Sequence, residues 1–214
     1  MAFNGFGVFS VPSTMPISAT EWFALLHSDP FVGLVLLEVF DLVEYALVGL
    51  MFVALCVALW QSNRTTMLLA TTCGLIGIAA YFASNQAFAM FSLSERYAAA
   101  TTDAQRAMFL AAGESLLAIQ NPGVLHQGTG IYASLFLVLL AGLLISIVML
   151  QSSTFSKTAA WMGILANGVG LTYYFVLPFA PALLVLPFVI SAPFRVIWYF
   201  LIARKLLQLA KSEQ

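Results

Sequence analysis

Five stretches of this chain are long enough and apolar enough to cross a bilayer, and they leave little choice of fold. They fall at about 30–60, 66–91, 130–150, 158–177 and 183–206. A segment in hydrocarbon must pair every backbone N–H and C=O within itself, so about 20 consecutive apolar residues read as one spanning helix. The expected class is therefore all-α, a polytopic transmembrane helix bundle of about five spans. Of the 214 residues, 62% are hydrophobic and 8% charged, against about 25% charged in an ordinary soluble domain. The net charge of −1 supplies no basic excess to hold a phosphate backbone, which excludes nucleic acid as a natural partner.

Connections of a few residues at 61–65, 151–157 and 178–182 force antiparallel neighbours, so one bundle spanning 30–207 is expected, without a domain boundary. The long polar connection is 92–129, and within it 102–119 has the pattern of an amphipathic helix, with Ala107, Leu110, Ala111 and Leu117 sharing a face. It either lies on the membrane surface, caps the bundle, or is an ordinary loop with a helical turn. Lys and Arg set the orientation. Arg64, Lys157, Arg204, Lys205 and Lys211 fall on one side, and Arg96 and Arg106 with acidic neighbours on the other. The expectation is a cell-membrane protein with an extracytoplasmic tail at 1–29 and a cytoplasmic tail at 208–214. Residues 1–28 lack a basic segment followed by an apolar one and a small-residue cleavage site, so no cleaved signal peptide is expected.

Ionisable residues within the spans carry the most information, because each costs at least about 2.5 kcal/mol at mid-membrane and calls for a partner or water. Glu38, Asp41 and Glu44 recur every three residues of the first span and share a broad helical face. Arg195 lies nine residues before Arg204, which puts it near mid-membrane. Asn85 and Gln86 in the second span and Asn167 in the fourth lie at comparable depth. Arg195, Glu44, Asp41, Glu38, Asn85, Gln86 and Asn167 form the candidate ligand-binding set, opening outward, with Tyr81, Tyr173, Tyr174, His126, Gln127 and Tyr132 nearby. Bland alternatives stand beside it: a structural Arg195–Glu44 ion pair, interfacial water around Glu38, and amides acting as glue between helices. Small residues at Ala70 and Gly74, at Ala159, Gly163 and Asn167, and at Ala166 and Gly170 have the spacing of close helix contacts. Pro187 and Pro193 are expected to kink the last span.

No phosphate-binding glycine loop, HExxH or GxSxG element occurs, and there are two histidines, so no cofactor, metal or catalytic residue is expected. Cys56 and Cys73 read as reduced packing residues. Three functions remain. The first is a non-catalytic accessory or scaffold protein that docks a protein partner or a second copy. The second binds or transports an anionic or lipid-like small molecule at Arg195. The third, a membrane-embedded enzyme acting on lipid, would depend on the carboxyl trio. The bilayer is the partner common to all three.

The acidic, apolar segment 34–60, the amphipathic stretch 106–120 and the closing Pro193-Phe194-Arg195-Val196-Ile197-Trp198-Tyr199 before a basic tail together resemble a bacterial family of multi-helix integral membrane proteins catalogued as a domain of unknown function. The resemblance covers about 30–207 and implies a membrane helix bundle, with no activity attached. Members look like six-span proteins, whereas 1–28 is too short and too rich in Gly, Pro and Ser for a further span. Either that helix is lacking or the start lies upstream.

Overall fold

The computed structural model describes residues 14–124 and 127–212; His126 lies outside them. The fold is all-α, and the described residues contain no strand. In chain order the helices are α1 (Ala19–Ser28), α2 (Pro30–Leu36), α3 (Val39–Ala58), α4 (Arg64–Ser84), α5 (Ala87–Ala98), α6 (Asp103–Leu117), α7 (Thr129–Gln151), α8 (Lys157–Leu171), α9 (Tyr173–Phe179) and α10 (Val185–Ser212), with a 3-10 turn at Pro181–Leu183. Five helical stretches are long and apolar enough to cross a membrane: Val39–Ala58, Arg64–Ala98, Thr129–Gln151, Lys157–Phe179 and Pro181–Lys211. Leu47, Leu50, Val57, Phe175, Val189 and Phe200 are exposed on these helices, as lipid-facing side chains must be.

Three expectations change. The apolar run at 30–60 is not one helix: it breaks between α2 and α3, so the first span begins at Val39. The tail at 1–29 contains a helix, α1. And contacts divide the chain into two compact units rather than one, the first formed by Met1–Tyr45 and Ala80–Tyr132, the second by Ala46–Ala79 and Ala133–Gln214.

In the first unit, α1 starts with a capping box: Ser18 Oγ accepts from Glu21 N and the Glu21 carboxyl reaches back to Ser18 N. The helix then buries Ala19, Trp22, Phe23 and Leu26 against Ala87 and Met90 of α5 and Leu117 of α6. Gly113 lets α6 approach, since a Cβ there would stand 2.8 Å from Phe23 and 2.9 Å from Ala19. Glu114 Oε1 accepts from Ala19 N at 2.8 Å, so α6 also supplies an acceptor and a negative group to the start of α1. The amphipathic segment of the long connection thus packs on α1 through its C-terminal part, around Gly113 and Leu117, while 103–108 and Ala111 are exposed.

In the second unit, α8 and α10 pack against each other, and glycines set the heights at which α7 and α10 meet α8. At one level Ser146 of α7 and Trp198 of α10 close on Gly163. One turn along, Asn167 fills the space beside Gly142, and a further turn along Leu139 covers Gly170. The small residues picked out by spacing, Ala70, Gly74, Ala159, Gly163, Ala166 and Gly170, are all buried. Pro187 falls in the first turn of α10, where its missing N–H removes no helical bond. Pro193 lies inside the same helix, which continues through it.

Candidate functional site

The polar residues that the fold brings together surround the helix break at Glu38. α2 starts normally, with Asp29 Oδ1 accepting from Val32 N at 3.1 Å and Pro30 in the first turn. At its end Glu38 takes φ 62°, the single positive φ among the described non-glycine residues. That conformation costs an L-residue about 1–2 kcal/mol and persists only where the surroundings hold it. Here they do. The Glu38 carboxyl accepts from Gln120 Nε2 at 2.8 Å and from Tyr81 Oη at 3.3 Å. The carbonyls of Leu37 and Glu38 face Asn85 Nδ2 at 3.5 and 3.4 Å, and the Glu38 carbonyl also accepts from Asp41 N at 3.2 Å.

Asn85 and Gln86 form a second break, between α4 and α5. Asn85 Oδ1 accepts from Ala87 N, at the first residue of α5, at 3.2 Å, and Gln86 Nε2 donates to Ser84 O at 3.0 Å. Gln86 N donates to Gln120 Oε1 at 3.0 Å. One amide, that of the buried Gln120, therefore donates to the first break and accepts from the second. Its neighbour Asn121 does similar work on the N-terminal segment. Asn121 Nδ2 donates to Ile17 O at 2.8 Å, Oδ1 accepts from Trp22 Nε1 at 3.3 Å, and Gln127 binds the Asn121 backbone on both sides.

Tyr81 is buried and its ring stacks on Tyr45, centroids 4.1 Å apart and planes 9° from parallel. Asp41 is half-buried near the Tyr81 hydroxyl, and the charged groups beside it are Glu38 and Glu44, both acidic. Of the seven candidate residues, Glu38, Asn85 and Gln86 are joined through Gln120 or directly, and Asp41 borders them. Glu44 belongs to the same unit but is exposed.

Arg195 and Asn167 belong to the second unit. Asn167 is buried against Gly142 and donates to Gly163 O at 2.8 Å, a bond within its own helix. Nη2 of Arg195 is buried with no hydrogen-bond partner, as are Trp198 Nε1, Ser134 Oγ and Thr71 Oγ1. Charge is sharply divided in sequence. The second unit holds six of the eight Lys and Arg residues and one of the nine Asp and Glu residues, Glu213, which lies outside the described residues. The first holds the rest, so no described carboxylate of its own unit is available to Arg195.

Chemically, the Glu38 cluster joins two helix interruptions and offers no nucleophile with a base beside it. Among the described residues no three His, Cys, Asp or Glu side chains are grouped as metal ligands would be. Cys56 and Cys73 are free thiols. Gln120 and Asn121 are the polar residues that sequence reasoning passed over. Their signal was a pair of amides directly after an amphipathic helix, where orphan carbonyls and loop N–H groups need partners. No family model matches the chain, and searches among characterised proteins and solved structures give no match.

Proposed function

We propose that this is a multi-pass protein of the cell membrane that performs no catalysis and serves as an accessory or scaffold protein, its N-terminal side outside and its C-terminus in the cytoplasm. The observation that carries the reading is the double use of Gln120, whose amide bonds both the Glu38 carboxyl and the Gln86 backbone. Polar groups that could have faced a ligand instead satisfy interrupted helices. The orientation rests on Arg64, Lys157, Arg204, Lys205 and Lys211 lying at one set of span ends. The test is a thermal-shift screen of the detergent-solubilised protein against metal cations, small organic cations and anions, with Asp41→Asn alongside. The scaffold reading predicts no compound that stabilises wild type and loses its effect in Asp41→Asn. A compound that does so makes the cluster a binding site and overturns the reading.

One observation favours a second reading, a small anion or lipid-like anion held at Arg195: Nη2 is buried and unpartnered in a unit with almost no carboxylate. A charge kept for a ligand leaves the ligand-free protein less stable than its neutral variant, so Arg195→Gln raises the melting temperature if this reading holds. A fall in melting temperature assigns Arg195 to structure.

A further inference from the structure

Within the second unit, a surface cavity of about 420 Å³ opens where the α7–α8 turn meets the C-terminal part of α10. Arg204 and Lys205 line it from α10, and Ser153, Thr154 and Ser156 from the turn. Its lining holds two cations and three hydroxyls and no carboxylate. Of the other cations at these span ends, Lys157 Nζ donates to Leu150 O and Arg64 lies over the Trp60 ring at 4.6 Å, while Lys211 borders a neighbouring cavity. Leu201 and Phe155 give the same cavity an apolar side.

From this geometry we infer that the cavity binds a phosphate group, supplied by the headgroup of an anionic lipid. A guanidinium presents paired N–H donors that match phosphate oxygens, and an ammonium adds a point charge. Hydroxyls complete the set as donors. The cavity lies at the ends of two spans, Lys157–Phe179 and Pro181–Lys211, the level at which lipid phosphates sit, and basic pockets between helices there recognise anionic headgroups. A second cavity, of about 390 Å³, shares Arg204 and Gln208 with the first and is otherwise bordered by Phe200, Ala203, Leu207 and Lys211, with an almost wholly apolar lining. A polar cavity and an apolar one meeting at Arg204 suit a phosphate with an acyl chain attached, which a free phosphate does not need. This inference requires a membrane protein but not the scaffold reading.

The experiment is a lipid titration of the full chain in detergent, read by native mass spectrometry and by melting temperature, with phosphatidylglycerol, phosphatidylcholine and inorganic phosphate as separate arms. Wild type should retain phosphatidylglycerol and gain melting temperature, with phosphatidylcholine and inorganic phosphate giving neither. The double variant Arg204→Gln, Lys205→Gln should bind phosphatidylglycerol roughly tenfold or more weakly, while Arg64→Gln, at a residue that lines neither cavity, binds as wild type does. Inorganic phosphate acting as strongly as the lipid overturns the lipid source. Equal retention of phosphatidylcholine and phosphatidylglycerol by wild type overturns the inference without any variant, and so does a double variant that binds phosphatidylglycerol unchanged. Should the double variant fail to fold, Arg204→Lys, which keeps the charge and loses the paired donors, must still bind several-fold more weakly.

Discussion

Gln120 Nε2 donates to a Glu38 carboxyl oxygen at 2.8 Å across 82 residues of sequence, and Gln120 Oε1 accepts from Gln86 N. A helix broken at 38 and a helix broken at 86 are thereby held by one side chain. Each break interrupts the regular helical bonds, and the amides of Gln120 and Asn85 bond Gln86 N, Ala87 N and the carbonyls of Leu37 and Glu38. The strained backbone at Glu38 is then a consequence of where its carboxyl is needed.

The positive φ at Glu38 gives a first prediction. Glu38→Ala and Glu38→Gly lose the same carboxyl bonds, but glycine adopts φ 62° without steric cost. Glu38→Gly should be more stable than Glu38→Ala by about 1 kcal/mol, measured by thermal unfolding in detergent. Alanine equal to or better than glycine would show that the break relaxes once the side chain is gone.

Two glycines of α8 give a contrasting pair. A Cβ on Gly163 collides with Ser146 Oγ and Trp198 Nε1, whereas one on Gly168 meets nothing within 4 Å. Gly163→Ala should destabilise by about 1–3 kcal/mol, and Gly168→Ala should be neutral or stabilising by up to about 1 kcal/mol. Unfolding of both variants under identical detergent conditions decides it.

Much of this was legible in the sequence, and the limits have physical causes. A span is a property of twenty residues at a time, so all five were visible in hydropathy, and glycine spacing marked the α8 seam because close approach in lipid requires small residues. The break at Glu38 has no local signal: neither Gly nor Pro is present at 37–39, and the conformation is imposed by Asn85 and Gln120 from far along the chain. A spacing of three puts Asp41 and Glu44 on one face of α3 but not in a given direction, and in a helix this apolar nothing fixes which face turns inward; Glu44 is exposed. α1 did have a signal, Ser18 followed by Glu21, but composition over 1–29 averages it into a tail rich in Gly, Pro and Ser.

That capping box gives a third prediction. Ser18→Ala removes the acceptor for Glu21 N and should cost about 1 kcal/mol. The loss should be concentrated in α1, seen as faster amide exchange from Trp22 to Leu25 with α8 unaffected. Exchange that accelerates equally in both helices would mean that α1 has no separable stability.

Orientation can be read directly. With Cys56 and Cys73 replaced by serine, Asp103→Cys should react with a membrane-impermeant maleimide on intact cells, and Ser153→Cys only after permeabilisation. The opposite pattern reverses the topology.

The central claim is that the polar cluster of the first unit exists to hold two interrupted helices, and a double-mutant cycle on Glu38→Ala and Gln120→Ala in detergent tests it most directly. The account predicts that each single variant loses stability and that the double variant loses less than the two together, with a coupling of at least about 1 kcal/mol. Single variants of near-native stability, or losses that simply add, would contradict it.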